Sequence, residues 1–389
     1  MLRVAYLVDE WVTLSQTFIR QEVAELRRQG VHVELVALAH GDTEPAADEP
    51  ATYLCDRVPG TLPGRVAALL AHPRDAVRIG RAQASIHPER VPHRAALPAV
   101  AEQLRRSEVS WVHAHFGWEA AACAEVLAGV LGTGWSLTTH AKDIYVHNTF
   151  LGGRLARADR LVTVCRYNLD EMAKAYASLP PTEIVVCGVE LPAPNPRDHL
   201  EVDVVAVGRL VPKKGFDVLV AAAADVRQHR PDLRVEIIGE GPERSALAEQ
   251  IEVAGLQEHV HLLGARSHAA TLARMEVARL VALPACIAPD GDRDSMPVVL
   301  KEAMARRVPV VATDVVGIPE MVDDAVGRLV PPRDAAALAA AMVELLDDPA
   351  LAAALGAAGR ERVGERFTLT GEVERLRSCF ERWAREVHP

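Results

Sequence analysis

The sequence predicts an α/β protein of two tandem, doubly wound Rossmann-like domains, and three observations carry that prediction. The chain has 389 residues, enough for two domains at roughly 100–200 residues each. Short apolar runs alternate with helical periodicity from end to end, the pattern of parallel strands joined by helices on both faces of a sheet. Residues 190–201 read Glu-Leu-Pro-Ala-Pro-Asn-Pro-Arg-Asp-His-Leu-Glu, a linker composition, and the strand–helix pattern restarts after them.

In the first half the runs predict strands at 4–8, 31–37, 111–114, 136–139, 161–164 and 184–187. A helix over 15–29 is marked by a Ser/Thr start, by Phe18, Ile19, Val23 and Leu26 on one face, and by Gly30 as its stop. The second half predicts strands at 204–207, 235–238, 260–263, 280–283 and 309–312. The alanine-rich stretch 335–358 is helix-forming. A last helix over 370–387 carries Val373, Leu376, Phe380, Trp383 and Val387 as a packing stripe. The expected domains are 1–190 and 191–369, with ligands at the carboxyl ends of the strands, facing an interdomain cleft.

Composition narrows the function. Half the residues are apolar and a quarter charged, as in ordinary globular proteins, and the formal net charge is −10. A broad nucleic-acid binder needs the opposite sign, so no nucleic-acid partner is expected. The six cysteines are scattered, with no Cys-x-x-Cys and no zinc-ligand spacing. Reduced thiols fit a cytoplasmic protein. The apolar start is broken by Asp9 and Glu10, too soon for a signal peptide, and no run reaches the length of a membrane span.

Several motifs fail on inspection. Gly239-Glu-Gly241-Pro-Glu-Arg244 follows a strand but lacks the third glycine of a dinucleotide fingerprint, which leaves a tight strand-to-helix turn. The Gly208–Gly215 loop lacks a Walker ending, and no Gly-x-Ser-x-Gly elbow is present. Asp290-Gly-Asp292-Arg-Asp294 is read as a solvated acidic loop, because Arg293 inside it opposes a cation.

Four features of the second half converge on the same strand ends. Gly208-Arg-Leu-Val-Pro-Lys-Lys-Gly215 sets Arg209 and Lys214 to clasp a diphosphate. Gly239 and Gly241 leave room for a bulky ligand. Asp294-Ser-Met-Pro-Val-Val-Leu-Lys-Glu302 places Pro297 in a first helical turn, so that amides near Ser295 and Met296 form an anion site, while Asp294 and Glu302 reach sugar hydroxyls. Val316-Gly-Ile-Pro-Glu320 walls the same crevice.

These four segments, in this order, resemble the signature of the retaining GT-B glycosyltransferases of family 4. The first half is similar to the exopolysaccharide and colanic-acid branch of that family, through Leu14-Ser-Gln-Thr-Phe18, Trp111-Val-His-Ala-His-Phe-Gly117 and Thr138-Thr-His-Ala-Lys-Asp-Ile-Tyr145. The resemblance implies a GT-B fold whose helix 370–389 returns to the first domain. It implies His140, and with it Asp143, opposite the donor sugar, and Ser15, Thr17 and His115 on the acceptor side. Three positions depart from the pattern: Asp294 stands for a glutamate, Val316 for a glycine, and Cys187-Gly-Val-Glu190 for Asn-Gly-Val-Asp.

The expected activity is transfer of a sugar from a UDP- or GDP-linked donor, a co-substrate, with neither cofactor nor metal. Arg209, Lys214 and the helix amides offset the charge growing on the diphosphate, Asp294 orients the sugar, Glu302 the ribose, and His140 a donor hydroxyl or the developing positive charge. The acceptor is a polysaccharide or lipid-linked intermediate, or alternatively a small soluble metabolite or antibiotic precursor. Arg65, Arg74, Arg78 and Arg81 within 64–81 suit a helix that docks at the inner face of an anionic membrane, interrupted by His72-Pro73. Two rival readings are a retaining glycosidase using Asp294 and Glu302 and a nucleotide-sugar-binding protein without chemistry.

Overall fold

The computed structural model describes residues 1–387 other than 12, 14, 15, 43–48, 58–60, 84–92, 94, 196 and 198. By internal contacts the chain forms two compact units. One comprises Met1–Val164, Leu169–Cys187 and the chain from Thr370 on; the other comprises Cys165–Asn168 and Gly188–Leu369.

The first unit holds a parallel sheet of β1 (Arg3–Trp11), β2 (His32–His40), β3 (Thr52–Tyr53), β4 (Trp111–His115), β5 (Gly134–Thr139), β6 (Arg160–Thr163) and β7 (Thr182–Ile184). Their spatial order is β3-β2-β1-β4-β5-β6-β7. Residues 4–8 are buried on both faces, which is why β1 reads as one apolar run rather than an alternation. The helix Glu119–Leu131 packs on β4 through small residues, five of them alanine, and ends at Gly132 with φ 75, the left-handed conformation that suits a helix stop.

The C-terminal helix Leu369–Val387 buries Val373, Leu376, Phe380 and Trp383. Trp383 lies 5.6 Å from Trp111, and Phe380 meets Tyr6 and His113 edge-on. The second unit holds β8 (Val202–Val207), β9 (Val235–Ile238), β10 (Val260–Gly264), β11 (Ala278–Leu283), β12 (Val310–Thr313) and β13 (Gly327–Val330), ordered β10-β9-β8-β11-β12-β13 and parallel throughout. Within it Val189 bridges Thr368, and a Cβ on Gly188 would fall 2.6 Å from the Leu369 Cα.

The structure moves some expected boundaries. The last strand of the first half is Thr182–Ile184 rather than 184–187, because the Val186 amide is taken by the Glu372 carboxylate at 2.8 Å instead of a neighbouring strand. The first helix is Thr17–Arg28, opening on Thr17 rather than at 15; Gln16, which has no side-chain bond to the helix, is its cap. Short edge strands β3 and β13 were not anticipated. The stretch 64–81 is two helices, Leu62–Ala71 and Pro73–Gln83, broken at His72.

Candidate functional site

In each sheet the strand order reverses beside the first strand, and a crevice opens at the carboxyl ends there. In the second unit the reversal is between β8 and β11, whose following loops are 208–215 and 284–297. Gly215, at φ 64, lets the first loop turn into the helix Phe216–His229; a Cβ there would lie 2.0 Å from the Pro284 carbonyl oxygen, so only glycine joins the loops this closely.

The contact brings two lysines onto two carboxylates. Lys214 Nζ donates to Asp294 Oδ2 at 2.5 Å, and Lys213 Nζ bridges Asp292 Oδ1 at 3.0 Å and Asp294 Oδ1 at 3.3 Å. Burial pushes the Asp294 carboxyl up, but Lys214 and then Lys213 outweigh it and hold the group below the ordinary carboxylate value. Burial alone would lower Lys213; Asp294 and Asp292 reverse that and raise it. Asp294 and Lys213 are therefore held in their charged forms, in a cluster of two acids and two bases.

This corrects four expectations. The Asp290–Asp294 loop is not a solvated acidic loop, since Asp292 and Asp294 are ion-paired. Lys214 is held by Asp294, so of the expected clasp only Arg209 is exposed. Gly239 and Gly241 are small for the backbone rather than for a ligand: a Cβ on either would strike the Gly208 or Leu210 carbonyl oxygen, at 1.8 and 2.4 Å. Pro297 is the residue before the helix Val298–Ala305 rather than within its first turn.

Beside this cluster Ser295 Oγ and the Asn168 amide exchange hydrogen bonds at 2.9 and 3.1 Å, and the Gly317 amide donates to the Ser295 carbonyl at 2.9 Å. Ser295 and Met296 are buried. Glu302 Oε1 lies 2.6 Å from His268 Nε2, and that bond raises the His268 pKa. Gly208 packs its α-carbon on the Lys214 stem, where a Cβ would come within 2.9 Å of Cε. The oxygens of Glu320 accept from the Arg166 and Tyr167 amides at 2.9 and 2.8 Å.

The first unit carries a buried polar chain across β1, β4 and β5. His115 Nδ1 faces His140 Nε2 at 3.1 Å, and His115 Nε2 lies 3.0 Å from the Tyr6 hydroxyl and 3.1 Å from Glu22 Oε1; Tyr6 also bonds Glu22. His113 is bonded at both nitrogens, to the Ser136 hydroxyl at 2.7 Å and the Thr138 hydroxyl at 3.0 Å. Burial, then the neighbouring imidazole of His115, holds His140 well below the usual histidine value, so its ring is neutral at pH 7.

His115 is wholly enclosed, which corrects the expectation that it faces a cleft; its route outward is His140, itself 8% exposed. Asp143 is also enclosed, its two oxygens accepting from the His140 and Gly117 amides at 2.7 and 2.9 Å, and burial raises its pKa to about 7. It shapes the turn rather than meeting a ligand. Thr17 opens the first helix, and Ser15 lies outside the described residues. Among the described residues Glu22, His113 and His115 are close enough to hold an ion, as are His40, Cys55 and Asp56. In the first group every imidazole nitrogen already has a protein partner.

Four residues of these sites were not singled out by sequence: Asp9, Asn168, Lys213 and His268. Asp9 ends the buried run of β1 at a reversal point; its Oδ1 accepts from the Ala120 amide at 2.9 Å, its Oδ2 is buried without a partner, and burial raises it to about 7. A carboxylate closing an apolar strand was the available signal. Nothing local marks the other three, which are defined by partners far away in sequence.

The glycosyltransferase family 4 model matches residues 15–191, and the model for glycosyl transferases group 1 matches 189–362. WcaL of Salmonella typhimurium, described as a colanic acid biosynthesis glycosyltransferase, is 28% identical over 417 residues, covering 98% of this chain and 100% of the relative. A GDP-mannose-dependent monoacylated alpha-(1-6)-phosphatidylinositol monomannoside mannosyltransferase of Corynebacterium glutamicum is 30% identical over 279 residues, 67% of this chain and 71% of the relative. Among solved structures, HepE of Anabaena in complex with UDP and glucose superposes with a TM-score of 0.73 at 18% identity, over 98% of this chain and 100% of that one.

Proposed function

The chain belongs to the family 4 glycosyltransferases with the GT-B fold, and from that premise we propose that it moves a hexose from a UDP- or GDP-linked donor to a hydroxyl of a polysaccharide or lipid-linked intermediate, with retention and without metal. That it is a hexosyltransferase using a nucleotide sugar follows from the family; donor base, stereochemistry, metal independence and acceptor are the proposal. The observation that carries it is the ion-paired cluster of Lys213, Lys214, Asp292 and Asp294 at the β8–β11 reversal.

As the anomeric bond breaks, charge grows on the diphosphate. Arg209 and Lys214 offset it together with the start of the helix Val298–Ala305, so fixed protein charge takes the place of a divalent ion. Lys214 also keeps Asp294 anionic and oriented, which suits Asp294 to hold donor-sugar hydroxyls. Glu302 binds the ribose, with His268 fixing its carboxylate. His140 meets a donor hydroxyl or the developing positive charge as a neutral imidazole. In a retaining reaction the departing phosphate takes the acceptor proton, so no side chain need be a base.

Two findings favour a lipid-linked acceptor. The Corynebacterium relative is named for a phosphatidylinositol mannoside, and the helices of 62–83 expose Val66, Leu70 and Val77 beside Arg74 and Arg81. No helix among the described residues is long and apolar enough to cross a membrane; a cytoplasmic place, peripheral to the inner face, is part of the proposal and rests on the exposed apolar and basic residues of 62–83. The test is transfer from radiolabelled UDP-glucose, UDP-N-acetylglucosamine and GDP-mannose to a lipid extract and to a soluble extract, with product stereochemistry read by NMR. Transfer to lipid by the wild type, reduced about 10²–10³-fold in Lys214→Ala, is expected. Binding of a nucleotide sugar with neither transfer nor slow hydrolysis would show a binding protein instead.

A further inference from the structure

A second cavity, of about 380 Å³, lies within the first unit beside the helices Glu119–Leu131, Ala141–Tyr145 and Leu151–Leu155. Its size falls at the lower end of ligand pockets, roughly 300–1,000 Å³, which suits one sugar residue better than a nucleotide sugar. It is lined by Trp118, Lys142, His147, Phe150 and Arg154, among others, with Glu119 as its one carboxylate against two permanent cations. Since Trp118 follows β4 and Lys142 follows β5, it opens at the carboxyl ends of the strands, two residues from His140.

Its chemistry is mixed in a specific way. Trp118 is fixed: its ring stacks on Phe116 at 4.6 Å, and its indole N–H donates to the His147 carbonyl at 3.3 Å. Phe116 in turn packs on His140 at 4.6 Å. The Lys142 ammonium stands 5.8 Å from the Trp118 ring centroid, and Lys142 and His147 are exposed at the rim.

Arg154 is the unusual member. It is 3% exposed, and among the described residues its Nε has no hydrogen-bond partner and its one ion pair is a long 3.4 Å contact to Glu125 Oε2. Glu125 is held chiefly by Arg157, at 2.5 Å from Oε1. A guanidinium has five donors and is costly to bury with so few acceptors. An anion in the cavity would supply what Glu125 does not.

We propose that this cavity binds a sugar bearing an oxyanion, either a phosphate ester or a uronate carboxylate, with the ring against Trp118 and Phe150 and the anion against Lys142 and Arg154. Guanidinium and ammonium groups recognise both anions, and the aromatic wall accepts the C–H face of a pyranose, which inorganic phosphate lacks. As a statement about acceptors it rests on the transferase reading above: the sugar here is an acid residue of the acceptor, adjacent to the hydroxyl that is glycosylated.

The test is calorimetric titration of the full chain with glucose 6-phosphate, glucuronate, glucose and inorganic phosphate, in the wild type and in Lys142→Glu and Arg154→Met, with UDP and GDP binding measured alongside. At least one anionic sugar binds, and glucose and phosphate bind about tenfold or more weakly. Lys142→Glu abolishes anionic-sugar binding while nucleotide binding persists; this rim variant decides the matter if Arg154→Met does not fold. Glucose or phosphate binding as tightly as the anionic sugars overturns the proposal, as does binding untouched by Lys142→Glu. Absence of anionic-sugar binding in a chain that binds nucleotide and turns over its donor overturns it too, and leaves the transferase reading intact.

Discussion

Val316 sits at φ 55, a left-handed conformation that β-branched residues rarely adopt, at the position where the family pattern has glycine. The backbone here takes a conformation that glycine adopts without strain. The adjacent Gly317 could not be exchanged for it, since a Cβ there would lie 2.5 Å from the Ser295 carbonyl oxygen. Strain of about 1–2 kcal/mol therefore opposes about 1.5–3 kcal/mol from burying the valine side chain. Val316→Gly is expected to change stability by no more than about 1 kcal/mol in urea unfolding, while Val315→Gly, which has no such strain to relieve, costs clearly more; equal losses would refute the strain. Asp9 offers a pH-dependent counterpart. Its native pKa of about 7 against an ordinary 3.8 means that between those values the unfolded chain is ionised there and the native one is not. Stability is thus lost as pH rises from about 4 to 7 and stays lost above it. Asp9→Asn keeps the oxygen that accepts from Ala120 and removes the charge. Its gain should be near zero at pH 4 and about 1–2 kcal/mol at pH 8; a gain independent of pH would mean that Asp9 is not neutral in the native state.

Among the elements, the helices Leu62–Ala71 and Pro73–Gln83 are the ones whose surface asks for a partner. Val66, Leu70 and Val77 are 47%, 69% and 55% exposed. The one acid of the second helix, Asp75, is buried against Arg105 at 2.9 Å, so Arg74, Arg78 and Arg81 face outward without it. Apolar residues among unopposed arginines suit a surface of anionic lipid. Vesicles containing phosphatidylglycerol are expected to sediment the protein at low salt, neutral phosphatidylcholine vesicles are not, and Leu70→Glu with Val77→Glu should release it; equal sedimentation with both lipids would remove the electrostatic half of the argument. The same region shows what a sequence can disclose about elements. Its helical period and its break at His72-Pro73 were legible because both are local. So were β1, β4, β5, β6, β8, β9, β11 and β12, whose apolar runs are buried on both faces of a sheet, and the edge strand β10, where only Val260 is buried. β3 has only two residues, and β13 is Gly-Arg-Leu-Val, too short or too mixed to stand out. β7 was misplaced because the residues after it are apolar, and only Glu372, nearly two hundred positions later, takes them out of the sheet. Asp294, Lys214 and Glu302 were legible from spacing, whereas the pairing of Lys214 with Asp294 depends on Gly215 meeting Pro284, a contact no local pattern contains.

For the molecule as a whole, a net charge of −10 has to coexist with a dianionic substrate. The second unit resolves this by pairing its acids locally, Asp292 and Asp294 with the two lysines, so that the field at the β8–β11 reversal is not set by the overall charge. On the reading proposed above, the balanced cluster binds a diphosphate by exchange and without a divalent ion: the incoming phosphate competes for the Lys214 ammonium, and Lys213 remains to hold Asp294. Nucleotide binding should then stabilise the protein by linkage, by about 2.7 kcal/mol at a concentration one hundred times Kd. UDP or GDP is expected to raise the midpoint of thermal unfolding, Lys214→Met to remove most of the shift, and EDTA to leave both the shift and the turnover unchanged. In a chain of two compact units the shift should fall on one calorimetric transition, that of the Gly188–Leu369 unit, when two are resolved. A shift that disappears with EDTA and returns with magnesium would show that a cation, rather than Arg209 and Lys214, neutralises the diphosphate.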